Sequence, residues 1–313
     1  MSYMIHKVLV AGRFGSVYHL HSLTSGTLTL KVMDKTTTEV AERDIRDGVE
    51  VAIARLQHPH IVRCLGYHID DNRRLMLLLE PVKCTLKDKI SDAYLPVIIK
   101  DRLQPKHIND MLSWFSQMAD GLNFLHSKNI CHRDLRTDNV FVSAADQIKL
   151  GVIGVLKKQE IEARTFKFFG GLQKEPCYMG PEIFSNVDYT LKTDIWALGC
   201  IFYEVFYREP AFTFSEARKI YKKKIVSSVV YGNKDLCQLI ESMLCSECTK
   251  RLSATEVLTQ LRKMRQTNSE TQDNFSPFIE TNVDWEKVKK TVKKYNNPEP
   301  KEHQNDSSRC TLL

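Results

Sequence analysis

Three stretches of this sequence carry residue types suited to chemistry on a phosphate. Gly12-Arg13-Phe14-Gly15-Ser16-Val17 lies between two β-type runs, where glycines let a backbone approach phosphate oxygens. The same glycines suit a hairpin turn that merely needs positive φ, so the stretch alone supports either reading. Lys31 follows within Leu28-Thr29-Leu30-Lys31, and an alternating strand there turns the ammonium either to solvent or into an anion site. The third stretch, His132-Arg133-Asp134-Leu135-Arg136-Thr137-Asp138-Asn139, concentrates carboxylates, cations and an amide, and Tyr178-Met179-Gly180-Pro181-Glu182 follows it.

Such residues need elements to position them. The runs Ile5–Val10, Ser16–Leu20 and, after Thr24-Ser25-Gly26, Thr27–Met33 predict an antiparallel three-stranded start. Ile45, Val49, Ala52, Ile53 and Leu56 recur at helical spacing and predict a helix over Thr38–Leu56. Ile61–Leu65 and Leu75–Leu79 read as two further strands, and Pro81–Thr85 as a connector. Beyond it the period turns helical in Ile108–His126, Thr193–Phe206 and Asp235–Leu244, with strand-like pieces at Val140–Val142 and Gln147–Leu150. The fold class is therefore α+β, a small β-rich lobe before a larger helical one. The expected division is residues 1–83, residues 84–265 and a polar tail over 266–313.

The chain has 313 residues, 42% hydrophobic and 27% charged, which excludes disorder along its whole length and allows a large core. Lys and Arg number 45 against 38 Asp and Glu, and the resulting +7 permits anionic partners without requiring them. Nucleic-acid binding is not expected, because the basic run Lys222-Lys223-Lys224 lacks interleaved aromatics and a recognised motif. Nine cysteines at irregular spacing, with no signal-peptide pattern at the start, read as reduced thiols of a cytoplasmic protein. Cys245 and Cys248 form a single CxxC pair, read as packing residues because a zinc site needs further ligands at matching spacing. The longest strongly apolar stretch, Ile195–Tyr203, falls far short of the ~20 residues of a membrane span.

The glycine loop, strand lysine, His-Arg-Asp loop and Pro-Glu motif occur in the order and at the separations of the eukaryotic protein kinases. The sequence resembles that superfamily over about residues 3–262, and its segment Lys192–Cys200 is most similar to the NIMA-related branch of Ser/Thr kinases. The resemblance implies a two-lobed protein kinase fold that brings a protein hydroxyl to the γ-phosphate of ATP. It assigns Asp134 to the substrate hydroxyl, Asn139 to a metal ion, Lys31 to the α/β-phosphates, and Gly12 and Gly15 to the phosphate loop. Leu79 would stand at the back of the adenine pocket and Glu80 to Val82 would form the hinge. Val17 and Phe141 would close that pocket from above and below. Asp194 and a Glu182–Arg251 ion pair would be scaffold.

Several positions depart from the family pattern. Asp-Phe-Gly is expected after Gln147–Leu150, yet the chain reads Val152-Ile153-Gly154, and no aspartate occurs between Asp146 and Asp188. A branched alkyl group does not coordinate Mg²⁺, which takes oxygen ligands. The helix glutamate expected to pair with Lys31 falls on Val49, with Glu50 beside it. One residue is about 100° of helix rotation, so Glu50 reaches Lys31 only if the helix is rotated or irregular near Gly48. Val10 replaces the first loop glycine and Thr29 an expected alanine, and both crowd the nucleotide site. On the substrate side Arg136 stands for a lysine and Glu175 for a threonine, a pair able to bridge across the site.

In the tail, Trp285, Val288, Val292 and Tyr295 line one face of a short helix, with Lys287, Lys289, Lys290, Lys293 and Lys294 over much of the rest. Such a helix either docks on the large lobe or lies on an anionic membrane surface. Cys310-Thr311-Leu312-Leu313 fits a Cys-a-a-X box whose leucine implies geranylgeranylation of Cys310. One lipid chain anchors weakly, and a basic segment is the usual second signal. The expected function is a kinase-like protein with little or no phosphotransfer, binding protein partners at an intracellular membrane surface. ATP is then held weakly or without metal, and Mg²⁺ is not expected to bind well. The alternative is an active Ser/Thr kinase that uses Asp134, Asn139 and Lys31 with an unusual metal arrangement.

Overall fold

The computed structural model describes residues 4–12, 15–22, 26–33, 56–69, 75–91, 105–151, 176–184, 189–212 and 234–272. Strands β1 (Met4–Gly12), β2 (Gly15–Ser22) and β3 (Gly26–Met33) form the antiparallel start that the alternation predicts. Strands β4 (Cys64–Ile69) and β5 (Leu75–Leu79) complete a five-stranded sheet in the order β1-β2-β3-β5-β4. The register sets Val17, Lys31 and Leu77 in one row across three strands, and His19, Thr29 and Leu79 in the next. Alternate residues of a strand share a face, so both rows face the same way. That face is the inner one, since Val17 and Leu79 are 1% exposed and Thr29 and Leu77 are 0% exposed.

The strand expected over Ile61–Leu65 begins instead at Cys64. Ile61 and Val62 are apolar and buried, but their stretch is tied elsewhere: Val62 N donates to Leu150 O at 2.8 Å and Leu150 N donates to His60 O at 2.9 Å. These bonds join it to a second sheet of β6 (Cys84–Thr85), β7 (Val140–Val142) and β8 (Ile148–Leu150). The helix expected over 38–56 lies outside the described residues except for Leu56, which is buried.

Helix α1 (Leu86–Ser91) has no counterpart in the sequence reading, being too short to show a period. Its start is fixed by Thr85 and Asp88, which exchange side-chain to backbone hydrogen bonds of 3.0 and 3.1 Å. The expected helices appear as α2 (Pro105–Ser127), α4 (Leu191–Tyr207) and α5 (Lys234–Met243), each within about three residues of its expected bounds. A short α3 (Pro181–Phe184) precedes α4, and α6 (Ala254–Gln272) runs on through polar residues past Leu261. Helix α4 is apolar on nearly all sides, from Ile195 to Phe206, and therefore takes the centre of the helical part. Phe202 of α4 stacks on Phe115 of α2 with ring centroids 4.0 Å apart. Thr190 and Thr193 cap its start reciprocally, and Arg208 ends it in the left-handed conformation at φ 60°.

The chain divides into two compact units, Met1–Ser269 and Glu270–Leu313, and the described part of the second is the end of α6. Among the described residues no helix is long and apolar enough to cross a membrane. The approach of α2 to the 60–62 segment depends on Gly121, where a Cβ would stand 2.6 Å from His60 O. That carbonyl also receives Leu150 N, so neither partner can retreat freely. Gly121→Ala should thus destabilise the protein by about 1–3 kcal/mol despite the better helix propensity of alanine. Urea denaturation followed by circular dichroism measures this, and an unchanged or higher midpoint would contradict it.

Candidate functional site

The site is built outward from Asp194, near the start of α4 and 0% exposed. Its carboxylate accepts four hydrogen bonds: from His132 N at 2.7 Å, Arg133 N at 2.9 Å, Tyr189 Oη at 2.6 Å and His126 Nε2 at 3.0 Å. Burial by itself would raise the carboxyl pKa, but the bond and charge of His126, with His132 and Tyr189, outweigh it and hold the group below its ordinary value. Arg133 adopts φ 67°, a left-handed backbone that costs a non-glycine residue roughly 1–2 kcal/mol. The bond from its N–H to Asp194 helps to hold that conformation. His132 is fully buried behind the turn and its Nδ1 accepts from Asp134 N at 3.3 Å.

The turn delivers Asp134 and Asn139 to Lys31. Asn139 Nδ2 donates to Asp134 Oδ2 at 2.7 Å and to Asp134 O at 3.0 Å, while Lys31 Nζ donates to Asn139 Oδ1 at 3.0 Å. The inward alternative for Lys31 is the one realised, at 9% exposure. Burial lowers its pKa from the usual lysine value to about 8, partly offset by the charge of Asp134. Arg136 pairs with Asp138 at 2.7 Å, and Lys87 approaches the same carboxylate at 3.4 Å. The bridge from Arg136 to Glu175 lies outside the described residues, as do Val152, Ile153, Gly154, Val49, Glu50, the 285–295 segment and Cys310.

The connector after β5 is pinned at each step. Glu80 N donates to Arg63 O at 3.0 Å, and Glu80 Oε1 accepts from Arg63 N at 2.8 Å and Lys149 Nζ at 3.0 Å. Val82 N donates to Thr29 Oγ1 at 3.1 Å, Val82 O accepts from His19 Nε2, and Lys83 N donates to Val142 O at 2.7 Å. Leu79, Val17 and Phe141 all lie in the hydrophobic core, at 1%, 1% and 0% exposure. Gly12 and Gly15 face each other at the end of the β1–β2 ladder.

Two buried polar groups fall where the sequence reading placed them. Arg251 meets Glu182 through two bonds of 2.8 and 3.0 Å, a bidentate pair near the Pro-Glu motif. Asp194 serves as scaffold. The sequence reading missed Glu204, which accepts from Tyr178 Oη and lies 3.3 Å from Thr137 Oγ1; burial raises the pKa of both Glu204 and Tyr178. A carboxylate on an otherwise apolar helix was the available signal. It also missed His19, whose partner is remote in sequence.

The family model described as Protein kinase domain matches residues 3–261 of this chain. Among curated relatives, the chain is 28% identical over 266 residues to mouse serine/threonine-protein kinase Nek4, covering 83% of this chain and 32% of the relative. It is 30% identical over 234 residues to an Aurora kinase of Eremothecium gossypii, covering 72% and 59%. Aurora-2 of Arabidopsis thaliana is 28% identical, covering 81% of this chain and 87% of the relative. The chain thus spans about a third of the first of these relatives and 59% of the second.

The lowered pKa of Lys31 has a pH signature. The folded state holds this proton less tightly than the unfolded chain, so between about pH 8 and the ordinary lysine value the unfolded state binds more protons. Stability should rise with pH across that window, by up to roughly 2–3 kcal/mol from this group. Urea midpoints of the wild type measured against Lys31→Met from pH 7 to 10.5 test it, and parallel curves would refute it.

Proposed function

The chain belongs to the protein kinase domain family, and from that membership we propose that it is a kinase-fold binding or scaffolding module with little or no phosphotransfer. One observation carries this reading: Lys31 Nζ donates to Asn139 Oδ1 at 3.0 Å. In phosphoryl transfer the lysine serves phosphate oxygens and the amide oxygen a metal ion. Here each satisfies the other, and the ammonium sits where a divalent cation would need that oxygen. The other expected metal ligand, an aspartate carboxylate, is replaced by Val152 in the sequence, whose alkyl group offers no oxygen. The residues present therefore do not fit a Mg²⁺ ion. Loss of one preorganised electrostatic group typically costs on the order of 10²–10³ in rate.

Members of this family bind ATP; for this chain any ATP binding is expected to be weak and nearly independent of metal. Thermal stability with ATP, with and without Mg²⁺ or Mn²⁺, decides it, because a ligand specific to the folded state raises the transition. No Mg²⁺-dependent rise is expected. The change Val152→Asp alone should not restore robust transfer, since Arg136 and Glu175 still depart from the family pattern and the Lys31–Asn139 bond still engages the amide oxygen. A clear Mg²⁺-dependent shift in the wild type, or strong autophosphorylation of Val152→Asp, would favour the second reading. That reading is a Ser/Thr protein kinase, and it is favoured by the convergence of Asp134, Asn139 and Lys31 on one point.

The tethering part of the proposal rests on sequence alone. A prenyl group on Cys310 would supply the apolar anchor, and the five lysines between 287 and 294 a salt-sensitive increment of up to ~1 kcal/mol each near an anionic surface. Protein partners would then meet the module at that cytoplasmic face. Cys310→Ser should release the protein from membranes. Replacing Lys289, Lys290, Lys293 and Lys294 by Gln should leave the lipid in place and weaken retention as ionic strength rises. An unmodified C-terminus in mass spectra of the protein from its own cells would defeat the anchor.

A further inference from the structure

We propose that His19 and Thr29 form an internal plug that occupies the purine-recognising edge of the cleft, so the chain excludes adenine by its own side chains and independently of any metal. The inference rests on the reading above and deepens it. Flat heterocycles such as adenine are recognised edge-on by a backbone that offers a free N–H and a free C=O. In the connector after β5, Val82 is the residue whose two groups both meet strand side chains. Its N–H donates to Thr29 Oγ1 at 3.1 Å and its C=O accepts from His19 Nε2.

The plug follows from the register. His19 and Thr29 are direct partners on β2 and β3, and Thr29 is in turn opposite Leu79, three residues before Val82. Lys31 must face inward to reach Asn139, and Thr29, two positions away on the same strand, must then face inward as well. An alanine at 29 would leave the Val82 N–H unpaired, whereas the threonine hydroxyl satisfies it. The residues expected above and below the ring belong to the described core. Val17 and Phe141 are 1% and 0% exposed, and Phe141 Cε2 lies 3.1 Å from a Cβ built on Gly151. The neighbouring connector groups are engaged too, with Glu80 N on Arg63 O and Lys83 N on Val142 O. A ligand entering by its edge would have to break two hydrogen bonds before making its own. The carbonyl of Val82 can only accept, so His19 Nε2 is the donor in this bond.

The test uses adenosine, which has no phosphates, in EDTA, on the full chain. The wild type should show no shift in melting temperature, and the double variant Thr29→Ala, His19→Leu should gain affinity by roughly tenfold, about the worth of one hydrogen bond. Thr29→Ser and His19→Gln keep an acceptor and a donor and should behave as wild type. Should the double variant not fold, hydrogen exchange on the unmodified chain decides: the Val82 amide should be protected without ligand. Adenosine binding by the wild type as tight as by the variant, a folded variant with no gain, or a Val82 amide that exchanges like open chain would each overturn the plug. Mg²⁺-dependent binding of inorganic triphosphate, which carries no purine, by the wild type overturns the functional reading alone, so the two fail separately.

Discussion

The carboxylate of Asp194 is the interaction on which the site depends. A charge at 0% exposure on an apolar helix costs several kcal/mol unless its lone pairs are filled. Four donors fill them, and two are consecutive backbone N–H groups of the 132–133 turn. The geometry is thereby reciprocal: the turn must close on α4 to satisfy the carboxylate, and the carboxylate sustains the left-handed Arg133 that the turn requires. Everything the turn carries, Asp134 and Asn139 first, is placed relative to the centre of the helical part. His126 at the end of α2 completes the arrangement and joins two core helices through one hydrogen bond.

The sheet imposes a second constraint, of period rather than charge. Side chains two apart on a strand share a face, so the functional demand on Lys31 dictates the environment of Thr29, and β2 follows with Val17 and His19. Polar groups on a buried face need partners, and the nearest for Thr29 and His19 is the backbone of Val82. The connector is thus held by the same strands that hold the lysine. A one-residue slip of β3 would turn Thr29 and Lys31 outward, and one of β2 would turn Val17 and His19 outward, and either would free one bond of the connector.

Much of this was legible in the sequence because it leaves a local trace. The alternation of β1 to β3 and the apolar runs of α2, α4 and α5 are periodic, and the His132–Asn139 cluster is dense in functional groups. The Glu182–Arg251 pair was legible through resemblance. What escaped is long-range hydrogen bonding. Val82 is separated from Thr29 by 53 residues and from His19 by 63, and no periodicity reports such a contact. The start of β4 was misplaced for a related reason. Burial of Ile61 and Val62 is real, but it comes from the tie to β8, which hydropathy does not distinguish from strand pairing with β5.

These two sets of contacts separate what the fold needs from what the chemistry needs. The bonds of Asp194 and the Glu182–Arg251 pair link core elements and involve no ligand. The groups that would touch a nucleotide, Lys31, Asn139 and Val82, are satisfied by one another or by neighbouring side chains. A buried polar group left unpaired costs about 1–3 kcal/mol, more if charged. A kinase-fold chain that stops using ATP therefore faces pressure to pair the groups that ATP and its metal would have engaged. Asn139 Oδ1 on an ammonium and the Val82 amide on a hydroxyl are what such pairing looks like. On the proposed reading, pairing of this kind would make the folded protein less dependent on a ligand.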